Sequence, residues 1–140
     1  MSITQALCNS YKMEILQGIH LSSDTYKMAL YTSSAILNKN TTTYSSTGEV
    51  VGLNYTAGGK SLTGFSVTLG GDTAILDWTT DPKWVKSSIT ARGALIYNSS
   101  LVGKNAVCVL DFGVDKASIH DDFTTEFPEP NSTNGLIRIL

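Results

Sequence analysis

Cysteine, histidine and charge are all scarce in this 140-residue chain, and each scarcity removes a class of chemistry. There are two cysteines and two histidines. Cys8 and Cys108 lie far apart with no CxxC spacing, which argues against a zinc site or a disulfide framework and for two buried thiols. Only 16% of the residues are charged and the net charge is -2, so there is no basic field for a nucleic-acid backbone and no acidic tail. No nucleic-acid partner is expected. No run approaches the roughly 18 apolar residues that span a bilayer, so no membrane partner is expected either. The opening residues MSITQAL lack the basic and continuous apolar regions of a secretory signal, and export by that route is not expected.

What the chain does have is small, uncharged polarity. Ser plus Thr number 33, with 12 Gly and 8 Asn, a composition that favours strands, turns and hydroxyl-rich surfaces. Hydrophobic residues reach 41%, enough for one packed core, and the length suits a single domain over 1–140.

Ile3, Leu7, Tyr11, Ile15 and Ile19 recur every four residues, which predicts an amphipathic helix over residues 1–20, ended by Gly18 in a left-handed conformation. From residue 24 onward the period is two. Tyr26, Met28 and Leu30 alternate with polar or small residues, and further alternating runs occupy 62–69, 73–79, 88–98, 105–112, 123–127 and 136–140. Gly70-Gly71 marks a tight hairpin, and residues 33–48 read as a long surface loop of the kind usually kept for function. The predicted fold is mainly β: an antiparallel sandwich or barrel of about seven strands with one N-terminal helix. Its expected inward set is Phe65, Val67, Leu69, Ala74, Leu76, Trp78, Ile89, Ala91, Leu95, Tyr97, Cys108, Leu110 and Phe112.

Candidate chemistry is thin. Gly58-Gly59-Lys60-Ser61 resembles the end of a phosphate-binding loop, yet the first glycine of that motif is replaced by Asn54 and a strand rather than a helix follows. It reads as a turn. His120-Asp121-Asp122 are neighbours in extended chain, whose side chains diverge, and His20 follows a helix end, where imidazoles commonly bond the last carbonyls. Asp72, Asp77, Asp81 and Asp111 read as turn and strand-end residues. No catalytic residue, metal ligand or cofactor is expected, and the chain is not expected to be an enzyme. Trp78, Trp84 and Tyr97 lie near turns and, if exposed together, would form a platform for sugar rings. That defines an alternative reading as a glycan-binding module. The candidate assembly contacts are Ile3, Leu7, Tyr11 and Ile15 on the helix stripe, Leu37 and Tyr44 in the long loop, and Ile137 and Ile139 in the last strand.

Several runs carry a resemblance: TYKMALYTSS at 25–34, YSSTGEV at 44–50, YTAGGKSLTG at 55–64, WVKSSITARGALIYN at 84–98, VLDFG at 109–113 and NGLIRI at 134–139. Across nearly the whole chain they resemble small virion structural proteins of tailed bacteriophages. The resemblance implies a non-enzymatic particle component, assembled in the cytoplasm of a bacterial host. It would decorate or cement the head shell, or belong to the tail and its fibres. The implied partners are further copies of the chain and other virion proteins, such as the major capsid protein or tail proteins.

Overall fold

A computed structural model describes residues 2–127 and 135–139 of the chain. Strand accounts for 50% and helix for 6%. The elements are β1 (Ala6–Leu7), α1 (Asn9–Leu16), β2 (Tyr26–Tyr31), β3 (Lys60–Ser61), β4 (Phe65–Gly70), β5 (Thr73–Trp78), β6 (Lys83–Asn98), β7 (Ala106–Thr124) and β8 (Ile137–Ile139). They form antiparallel sheets of order β1-β7-β6-β2-β3 and β4-β5-β8. Neither sheet closes on itself, so the arrangement is sandwich-like rather than a barrel.

The larger sheet is covered on both faces where β2 pairs with the end of β6 and the start of β7, and the pairing shows by what. Residues directly opposite in an antiparallel pair share a face. Tyr26, Met28 and Leu30 lie opposite Asn98, Ile96 and Ala94. On this face Tyr26 meets Phe65 at 5.8 Å and Trp78 at 5.4 Å, so the smaller sheet covers it. The other face presents Ala29, Tyr31, Leu95 and Tyr97. Here the cover is irregular chain: the Tyr31 hydroxyl donates to the Ser45 carbonyl at 2.6 Å, Tyr44 stacks on Tyr97 at 4.8 Å, and the Leu30 N–H donates to the Tyr55 hydroxyl at 2.9 Å. The expected surface loop at 33–48 is therefore partly a packed layer, with Ala35 and Leu37 buried. Gly59 permits the close approach at its end. At φ 81, a Cβ there would stand 1.8 Å from the Met28 carbonyl oxygen.

The predicted helix over 1–20 is corrected to eight residues, Asn9–Leu16. Ile3 instead bridges Leu37 in parallel fashion, and Ala6–Leu7 pair with β7. A four-residue spacing is an even number, so it satisfies a strand's period of two as well as a helix, and pairing decides between them. The predicted stop holds. Gly18 takes φ 72, its N–H reaches the Ile15 carbonyl at 3.2 Å, and the Ile19 N–H reaches Glu14 at 3.1 Å, which closes a Schellman motif.

The strands expected at 105–112 and 123–127 are joined in one 19-residue strand, β7, which pairs with the 16-residue β6. The intervening residues 113–122 show no sustained alternation in sequence and are mostly exposed in the structure. Register shifts at Trp84/Ser87, Ser87/Ile89 and Ala91/Gly93 accommodate them, with Lys86 and His120 at φ 50 and 49. The Gly70-Gly71 signal also holds: Gly70 pairs with Thr73 across a two-residue turn whose first residue, Gly71, has φ 63. Within the expected core, Val67 and Leu69 are corrected to exposed positions, at 59% and 77%. They share a face with Phe65 and Trp78, but that face runs beyond the larger sheet. The expected last strand is described only to Ile139, Leu140 lying outside the described residues.

Candidate functional site

Most residues singled out in the sequence serve the interior. Trp78, Trp84 and Tyr97 are 3%, 2% and 3% exposed. Trp78 packs between Tyr26 and Phe65, Trp84 meets Phe123 at 6.2 Å, and the Tyr97 hydroxyl donates to the Gly58 carbonyl at 2.7 Å. They form no exposed platform for a sugar. Of the candidate assembly contacts, Ile3, Tyr11, Leu37 and Ile137 are buried and Leu7, Ile15 and Tyr44 are half-buried against the same core. Ile139 alone among them is exposed, at 50%.

Two polar clusters escape sequence reading because their members come from separate segments. Glu49 is buried. Its Oε1 accepts from the Tyr44 hydroxyl at 2.5 Å, and its Oε2 from the Tyr55 hydroxyl at 2.5 Å and the Gly58 N–H at 2.8 Å. Burial and the adjoining carboxylate push the Tyr44 and Tyr55 hydroxyls far up, and Tyr97 up to about 12. The carboxylate thus ties three points of the irregular layer together, and Tyr55 joins it to the sheet by accepting from the Leu30 N–H of β2.

The second cluster centres on His20, whose side chain is 2% exposed. Its Nε2 contacts Glu14 Oε1 at 2.7 Å and its Nδ1 contacts the Asn98 Nδ2 at 3.2 Å. The Asn98 Oδ1 accepts from the Ser100 N–H at 3.1 Å and its Nδ2 also donates to Asp24 at 2.8 Å, which fixes the amide. His20 Nδ1 is then the acceptor and Nε2 the donor. The expected contact with the last helical carbonyls is replaced by this side-chain network. Both ring nitrogens are engaged, so the imidazole ties α1 to the start of the β6–β7 connection, and Asn105 completes the tie by donating to Glu14 Oε2 at 2.8 Å.

The remaining reactive groups are held inert or apart. Burial pushes the Cys8 thiol up to about 11 and Cys108 further, which keeps both protonated and poorly nucleophilic near neutral pH. Asp122 caps the bulge by accepting from the Lys86 N–H at 3.0 Å and lies 3.8 Å from Lys83. Among the described residues no group of three His, Cys, Asp or Glu is placed to hold a metal.

Two features face solvent: a groove with charged residues at its rim, and an apolar patch on the smaller sheet. The groove, of about 600 Å³, opens between the two sheets, walled by Leu7, Leu110, Phe112, Phe127 and Leu136 and lined also by the charged residues Asp111, Glu126 and Arg138. From Ile137 the apolar face of the smaller sheet continues outward through Leu76 to Val67, Leu69 and Ile139, which are directly or diagonally opposed across β4, β5 and β8. Its outer boundary is β4, an edge strand in a stretch with no charged residue between Lys60 and Asp72. Val67 and Leu69 escape sequence reading as surface groups because alternation marks an apolar face without saying whether it is covered. Compared with known proteins, the chain matches no family model, no curated protein and no solved structure.

Proposed function

We propose that this chain is a non-enzymatic structural component of a tailed-phage virion, docking in many copies on the particle as a head decoration or cement protein or as a tail-associated protein. The observation that carries the reading is an apolar patch on the smaller sheet, with Val67, Leu69 and Ile139 exposed on one face across β4 and β8. Exposed apolar groups gathered on one face mark protein contacts more often than scattered ones do. The chain-long resemblance to phage structural proteins points the same way. Attachment in symmetric array converts many weak contacts into stable retention, which suits a small β domain. The partners under this reading are other copies of the chain and virion proteins such as the major capsid protein or tail proteins.

Imaging of the phage particle at side-chain detail tests the proposal. The expected result is this chain in symmetry-related copies on the head or tail, with the smaller sheet at a protein contact. Its absence from purified infectious particles would overturn the reading.

A further inference from the structure

We infer that the free edge of β4 is a self-pairing surface, taking the β4 strand of a second copy in antiparallel register about a two-fold axis at Val67.

The backbone geometry sets which groups are free. The Thr79 N–H donates to the Gly64 carbonyl at 3.0 Å, and the β4–β5 register continues unbroken from Phe65↔Trp78 to Gly70↔Thr73. Hydrogen-bonded pairs alternate along an antiparallel ladder, so Ser66, Thr68 and Gly70 turn their peptide groups toward β5. Phe65, Val67 and Leu69 turn theirs outward, and among the described strands β4 is the last of its sheet.

A symmetric antiparallel pair must match outward-facing residues with outward-facing residues. A two-fold at Val67 does this across the strand: Val67 opposes Val67 of the second copy, and Phe65 opposes its Leu69. About six backbone hydrogen bonds would form, and each opposed pair on the apolar face would be apolar. The opposite face would set Ser66 against Thr68. No charge is opposed anywhere in this register. The result is one continuous six-stranded sheet, in which the exposed Val67 and Leu69 gain cross-strand partners.

Another long free edge among the described strands shows the contrast. Beyond its short pairing with β1, β7 carries Asp115, Lys116, His120, Asp121 and Asp122. Charges on an edge strand are a standard protection against strand addition, because like charges meet when it pairs. Self-pairing of β7 in register about Asp115 or Lys116 would oppose like charges. Only the β4 edge lacks this protection, among the long free edges of the described strands.

The inference does not depend on the particle role, and either can fail alone. Sedimentation of the purified chain up to about 1 mM is predicted to show reversible dimerisation, with a dissociation constant of roughly micromolar order because the interface is small. Val67→Pro deletes only an outward N–H, which an edge strand tolerates, and is predicted to weaken association at least tenfold. If that variant fails to fold, Val67→Lys keeps the N–H and opposes two ammonium groups across the axis, with the same predicted loss. Val114→Lys, on the charged edge, is predicted to leave association unchanged. Register is read separately with Val67→Cys. Opposed Cα atoms about 5.5 Å apart permit a disulfide, so oxidised glutathione should give a covalent dimer. A chain that stays monomeric throughout, or a dimer indifferent to Val67→Pro and Val67→Lys, overturns the inference. So does pairing in which Val114→Cys crosslinks and Val67→Cys does not.

Discussion

At the scale of single residues, the strongest polar commitments are internal, and they explain how an irregular segment holds its place. Glu49 accepts three hydrogen bonds in a buried setting, and losing it strands the Tyr44 and Tyr55 hydroxyls and the Gly58 N–H. Glu49→Ala is predicted to cost about 2–4 kcal/mol in urea unfolding, and Glu49→Gln less, since the amide still offers an acceptor. Equal stability of Glu49→Ala and wild type would show that the cluster does not anchor the layer. A second prediction concerns alkali. Burial pushes Tyr11 up to about 12 and Cys8 up to about 11, so the folded chain holds these protons more tightly than the unfolded chain does. Their contribution is complete below the unfolded values of about 9 to 10 and is lost as pH rises through the folded ones. The melting temperature should stay level to about pH 8 and fall between about pH 9 and 12, with tyrosinate absorbance rising as the chain unfolds. Tyrosinate appearing near pH 10 in a chain still folded would contradict the burial. The buried thiols of Cys8 and Cys108 are legible in the sequence, but the clusters around Glu49 and His20 are not, because their partners are reached only after the chain folds back.

At the scale of elements, the sequence is most legible where a pattern has one reading. The alternation at Tyr26, Met28 and Leu30 and the glycine turn after β4 are of that kind, and both appear in the structure. The stripe through Ile3, Leu7, Tyr11 and Ile15 is not, and the chain spends its first half as bridge and strand. An eight-residue helix is far below the length that is stable alone, so α1 depends on the burial of Tyr11 and on its Schellman end. This dependence gives Leu7 a different role from the helical one expected. It pairs with Cys108 at the foot of the groove, directly ahead of the helix start. Leu7→Asp is predicted to destabilise by about 1–3 kcal/mol, by setting a charge against an apolar wall, and to lower the melting temperature accordingly. A melting temperature unchanged by Leu7→Asp would show that β1 does not hold the N-terminal segment in place.

At the scale of the whole molecule, the larger sheet is buried on both faces around β2, while the smaller sheet is left partly open. The segment that reads as a functional loop covers the first sheet, while residues that read as core, Val67 and Leu69, form the open part of the second. Composition shows that charges are few, but not where the apolar portion of the surface gathers. That location depends on how far β4 and β5 run past the sheet they pack on. Under the proposed particle role, neutral packing rather than ion pairing would hold this chain on the virion. Washing purified particles at about 1 M salt, where the screening length is roughly 3 Å, separates the two directly. Quantifying the chain on the washed particles should show it retained in full. Clean release, with the shell and tail still intact, would contradict the claim.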